Sequence, residues 1–141
     1  MNGDDPFIRV AQEWVEKAEE DFIITVLGLK SRSQFPTSVS CFHAQQCIEK
    51  YLKALLVWRR IDFRKTHAIG ELLLMVGKPI GVSINLKEQN RLSDYATVTR
   101  YPGDYEPISR VEAGKALAIA RRVRTAVRKR LPEEVFEKPA K

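Results

Sequence analysis

Histidine is nearly missing from this chain: there are two, His43 and His67, and none follows position 67. Cysteine is equally scarce, at two. Cys41 and Cys47 fall in one expected helix, where the helical rise sets them about 9 Å apart, too far to bridge. That excludes a disulfide scaffold and leaves two small, buried, apolar residues in a reducing compartment. His43 and Cys47 stand four apart and can share a zinc ion, but a zinc site needs three or four ligands, and His67 is the only other histidine. Neither a metal nor any other cofactor is expected. No apolar run approaches the roughly 20 residues that span a bilayer. The opening "MNGDDPF" is acidic and lacks the apolar stretch of a secretory signal. The expectation is a soluble, cytoplasmic protein with no membrane partner. A glycine-rich phosphate loop after a strand, a G-x-S-x-G elbow and a placeable Cys-His-Asn set are also missing. So are internal repeats and any strand pattern better than the short, glycine-rich "PIGVSI".

What is present reads as helix. With 141 residues, 44% of them apolar and 30% charged, the chain suits one domain with one core. A single domain over 1–141 is expected, with its core at about 7–131 and a flexible tail at 132–141. Phe7, Ala11, Trp14, Ala18, Phe22, Val26 and Leu29 recur by threes and fours over residues 7–30. A second helix over about 37–60 carries Ala44, Ile48, Tyr51, Leu52, Leu55 and Trp58 as its buried stripe. Glu49 and Lys53 form an i,i+4 pair on it in the favourable order. Thr66 can cap a short third helix with Ile69, Leu72, Leu73 and Val76 turned inward. Asn85-x-x-Glu88 and Ser109-x-x-Glu112 read as capping boxes that open a fourth and a fifth helix. Pro102 stops the fourth near Arg100, and the fifth runs to about Leu131. The expected fold class is all-α: a four-to-five-helix, up-and-down antiparallel bundle.

Charge is unevenly placed. Residues 109–130 hold eight Lys/Arg against one Asp/Glu, which alone exceeds the net charge of +6 of the whole chain. Arg110, Arg121, Arg124 and Arg128 fall in one narrow stripe of the fifth helix, beside an apolar face of Ala113, Ala116, Leu117, Ala120, Val123, Val127 and Leu131. Guanidinium forks suit phosphate oxygens and suit an acidic protein equally well. No aromatic residue interleaves with them, as single-stranded nucleic acid would favour. Glu19, Glu20 and Asp21 cluster on the first helix, where acids ordinarily form a solvated face.

The stretch "TRYPGDY" (99–105) brings chemistry-bearing residues together. A cation at a helix C-terminus is favoured by the dipole, and that alone can place Arg100. Its neighbours Tyr95, Tyr101, Asp104 and Tyr105 also supply hydroxyls and a carboxylate suited to a phosphate or a nucleobase.

Three segments in order, "KAEEDF", "CFHAQQCIEKYLKALLV" leading to "KTHAI", and "RYP", closely resemble the HEPN domain family, from about Trp14 to about Arg128. The resemblance implies a helical bundle and a homodimer with a cleft lined by helices two and four. It also implies, as for many bacterial members, a partner minimal nucleotidyltransferase in a toxin–antitoxin pair, and nucleotide or RNA as ligand. It assigns Arg100, with Tyr101, Lys50 and Lys53, to nucleotide or phosphate binding. Toxin members of the family are metal-independent ribonucleases that use an Arg followed four to six residues later by a His. Here Arg100 holds the arginine position and no histidine follows, so cleavage would have to run through Arg100, Asp104 and Tyr105, or borrow His43 or His67. Unperturbed, Tyr titrates near 10 and Asp near 3.9, so neither replaces an imidazole without strong tuning. In some pairs the partner transfers a nucleotide onto a HEPN tyrosine, a role open here to Tyr101 or Tyr105.

Overall fold

The computed structural model describes residues 5–31, 35–77, 80–96 and 107–137. Five α-helices follow one another: α1 Pro6–Lys30, α2 Thr37–Trp58, α3 Ile69–Val76, α4 Leu86–Tyr95 and α5 Arg110–Arg130, then a short 3-10 helix Glu133–Phe136. The described residues contain no strand.

Local chemistry sets most boundaries. Asp5 caps α1 by accepting from the Phe7 amide at 2.9 Å, and Pro6 takes the first helical position, where its missing N–H costs nothing. The Asn85–Glu88 capping box forms in both directions at the start of α4. At α5 the Ser109 hydroxyl accepts from the Glu112 amide at 3.0 Å, while the Glu112 carboxylate is occupied by α4. The third helix starts two residues later than its sequence suggests: Thr66 accepts from the Ala68 amide, and α3 begins at Ile69.

α2 is the axis, packing against α1, α3, α4 and α5. Side-chain pairs fix the directions. Thr25 meets Ser40 while Glu19 meets Tyr51, so α1 and α2 are antiparallel. Arg110 reaches Leu29 and Arg124 reaches Glu19, so α5 also opposes α1 and runs alongside α2. Tyr95 lies against Cys41, which brings α4 back along α2. The four legs α1, α2, α4 and α5 run up and down, with α3 as a short extra turn.

Ala44, Ile48, Tyr51, Leu52 and Leu55 are fully buried as their spacing predicts, and α2 is also buried beyond that stripe, at Gln45, Glu49 and Lys53. The inward face of α1 differs from the expected one. Ala11 and Ala18 lie on it, but its other members are Ile8, Val15, Asp21, Thr25 and Gly28, while Phe7 is exposed and Trp14, Phe22 and Leu29 pack at its margin. Part of the segment expected as a tail is folded. Glu133–Phe136 docks on α1, Val135 is buried, and Gln12 Nε2 donates to the Glu134 and Glu137 carbonyls at 2.8 and 2.9 Å.

Two glycines separate packing from helix propensity. A Cβ on Gly28 would come within 2.5 Å of the Phe35 ring and 2.8 Å of Ser40 Oγ, whereas one on Gly114 in α5 would meet nothing within 4 Å. Gly114→Ala should therefore stabilise the protein by about 0.5–1 kcal/mol. Gly28→Ala, despite the same propensity gain, should destabilise it by about 1 kcal/mol or more through overpacking. Urea denaturation of the two variants checks the opposite signs.

Candidate functional site

Polar side chains on α2 are drawn into three connected groups. In the first, Asp21 of α1 is buried and accepts from Lys50 Nζ at 2.6 Å through one oxygen. Its other oxygen faces His43 Nδ1 at 2.7 Å. Lys50 and His43 each keep 23% of their side-chain surface, so both are presented to solvent while held in place. In the second, the Glu49 carboxylate collects Lys53 Nζ at 2.7 Å, Gln45 Nε2 at 2.8 Å and His67 Nδ1 at 3.0 Å. Gln46 extends this chain by donating to Gln45. Lys53 also sits over the Trp14 and Phe63 rings, at 5.3 and 5.8 Å from their centroids. In the third, Arg124 grips Glu19 through Nε and a terminal nitrogen at 2.7 and 2.8 Å, and the Tyr51 hydroxyl donates to the same carboxylate. Arg128 reaches the Tyr51 hydroxyl at 3.1 Å.

These partners set the electrostatics. Burial pushes the Glu49 carboxyl up, and hydrogen bonds from Lys53, His67 and Gln45 more than reverse that, leaving it below the usual carboxylate range. Glu19 is likewise raised by burial and lowered further by Arg124 and Tyr51, with a net downward shift. Tyr51 is raised by burial and by its bond to Glu19. Burial pushes the Cys41 thiol up to about 11 and Cys47 higher still, so both behave as the small apolar residues their placement suggested.

The residues expected at the site divide into two sets. Lys50 and Lys53 lie on α2 as predicted, but Lys53 is buried against Glu49, so that i,i+4 pair is an interior one. Arg100, Tyr101, Asp104 and Tyr105 lie outside the described residues. The ends of their segment are tied together: Arg91 of α4 makes a two-pronged pair with Glu112 of α5 at 2.6 and 2.8 Å, and the Tyr95 hydroxyl donates to the same carboxylate. The acids of α1 correct the sequence reading. Glu20 is solvated, but Asp21 and Glu19 are anchors of the interior network. The arginine stripe of α5 faces α1, where Phe22 stacks on Arg121 and Arg124 at 5.3 and 4.7 Å. Asp21, Gln45 and Gln46 are candidate functional residues that periodicity did not single out. Their signal was their occurrence on the otherwise apolar face of a helix.

The buried pair generates a test. Glu49→Gln should cost about 3–5 kcal/mol in urea denaturation at pH 7, because it leaves the Lys53 charge buried alone, and Glu49→Gln/Lys53→Met should recover most of that loss. A carboxyl depressed in the folded state adds stability above its unfolded value of about 4.3, and that stability drains as pH falls through the folded value. Wild type should therefore lose stability as pH drops below about 4, and the double variant should lose less over the same range.

The bundle has counterparts among known proteins. The HEPN domain family matches residues 11–130. "Putative toxin MJ1304" of Methanocaldococcus jannaschii is 30% identical over 106 residues, covering 70% of this chain and 67% of its own. An archaeal HEPN homologue, ST0689, superposes with a TM-score of 0.67 at 25% identity, over 85% of this chain and 96% of its own. TT1696 from Thermus thermophilus superposes with a TM-score of 0.65 at 27% identity, over 86% and 98%. With the family matched across all five helices, the chain belongs to the HEPN domain family.

Proposed function

We propose that this chain is a nucleotide- or RNA-phosphate-binding HEPN protein and one half of a toxin–antitoxin pair, with a minimal nucleotidyltransferase as the other half. Family membership and the name carried by the Methanocaldococcus jannaschii relative support the toxin side. The observation that carries the binding reading is the presentation of Lys50 and His43 at the surface of α2, both fixed by Asp21. A lysine positioned in this way is preorganised for an anion. Arg100 supplies the main phosphate contact, Lys50 assists, and Lys53, committed to Glu49, holds the interior side of the stripe. Tyr101 stacks on a base and the Tyr105 hydroxyl donates a hydrogen bond. The protein acts as a homodimer in the cytoplasm. Leu74 on α3 and Leu86 on α4, 84% and 70% exposed, offer apolar surface to a second copy.

A second reading draws on the Asp21–His43 contact. A carboxylate only accepts, so His43 Nδ1 donates to Asp21, and in a neutral imidazole so held the lone pair is on Nε2. An imidazole oriented by a carboxylate is the usual form of a general base. In a metal-independent ribonuclease it would take the 2′-hydroxyl proton as that oxygen attacks the adjacent phosphorus, Arg100 would neutralise the phosphate, and the proton would pass to the departing 5′ oxygen, leaving a 2′,3′-cyclic phosphate.

One assay separates the two. The protein is incubated without metal with short single-stranded RNA, beside Arg100→Ala and His43→Asn. The binding reading predicts intact RNA and an affinity that falls about tenfold to a hundredfold in Arg100→Ala, the worth of one charge-assisted contact. Cleavage abolished by both substitutions would establish the ribonuclease instead. RNA and nucleotide affinities indifferent to Arg100 would remove the binding reading.

A further inference from the structure

The fold employs only some of the cations of α5. Arg124 is taken by Glu19, Arg128 by Tyr51 and the Phe136 ring, and Arg110 by the Leu29 carbonyl. Lys115, Arg122 and Lys129 are exposed, and among the described residues none of them pairs with a carboxylate. They follow one another at seven-residue intervals along one face of the helix, steps of about 10 Å. No acidic residue occurs from Ala113 to Leu131.

Along the second half of α5 this face borders an open groove of about 620 Å³, with Arg121, Arg122, Lys129 and Arg130 on one wall and Gly81 and Val82 on the other. Gly81 takes a φ of 73°, which favours glycine, and even a Cβ there would lie 3.7 Å from the Arg130 guanidinium. Two of the four cations are already oriented, Arg121 by stacking on Phe22 and Arg130 by donating to the Ala126 carbonyl at 2.8 Å. Arg122 and Lys129 remain able to reach a ligand. Four like charges around one groove repel each other, and a bound anion relieves that repulsion. Among the described residues the lining has no aromatic side chain on which a base can stack. It also lacks the large exposed apolar anchor that a protein partner needs.

We infer that this groove binds the phosphate backbone of RNA, irrespective of base sequence, through Arg121, Arg122, Lys129 and Arg130. It shares with the proposed function an RNA ligand but none of its residues. Its first cation, Arg121, lies about 16 Å along α5 from Arg110 at the helix start.

The test is fluorescence anisotropy of the full chain with a labelled single-stranded poly(U) RNA across a salt series, comparing wild type, Arg122→Gln/Lys129→Gln and Arg100→Ala. Two lost phosphate contacts should lower the slope of log affinity against log salt by about 1.4 and weaken binding about tenfold at 0.15 M salt. Thermal melting should be unchanged, because both side chains are exposed and unpaired with any carboxylate among the described residues. The groove double variant should behave the same way in an Arg100→Ala background. Loss of binding on changing the groove but not Arg100 upholds the groove and removes the Arg100 reading. The reverse pattern, or an unaltered salt slope in the groove variant, overturns the groove alone. Absence of RNA binding in wild type overturns it as well. So does poly-glutamate binding that depends on Arg122 and Lys129 while RNA affinity does not, since that marks a protein-docking surface.

Discussion

A charge carried into the middle of a helical bundle has to find an opposite charge there, and α2 carries several. Because four helices pack around it, Lys53 and Glu49 cannot both retreat to solvent, and each is held by the other. The Coulomb gain of such a pair is large in a low dielectric and its desolvation cost is comparable, so the net stabilisation is small while the penalty for breaking it is large. The register of α1 against α2 follows from the same rule. Sliding α1 by one turn would separate Asp21 from Lys50 and Glu19 from Arg124 together, leaving the buried Asp21 carboxylate without its cation.

The fifth helix obeys the rule only in part. Its inward cations are matched by Glu19, by Tyr51 and by the faces of Phe22 and Phe136. Its outward ones have no such use. A solvated lysine is cheap, but a run of cations without a single acid among them keeps a standing positive potential that charge alternation along the helix would remove. The division between cations that build the fold and cations left over can be drawn only once the partners on α1 are known.

Much of the architecture was legible in the sequence because it rests on local rules. Asn85 and Ser109 mark helix starts by supplying acceptors for orphan amides, and those starts stand. The stripe of α2 was legible because its members are large and apolar. The inward face of α1 was not, since its centre holds Asp21, Thr25 and Gly28, residues that hydrophobic spacing passes over. Gly28 faces inward because Phe35 and Ser40 need the space, and Asp21 because Lys50 and His43 wait across the interface. These are facts about a neighbouring helix, and no pattern within α1 contains them. The same holds for Glu112, whose sequence signature is that of a cap but whose carboxylate is claimed by Arg91 and Tyr95.

That last contact bears on how this protein varies. Bringing two chain ends together carries an entropic cost that grows only slowly with the length between them. The Arg91–Glu112 pair joins the helices on either side of residues 97–106. Doubling the length of that connection would add only about 0.6 kcal/mol to the cost of closing it. In energetic terms the length of the connection between these two helices is therefore nearly free.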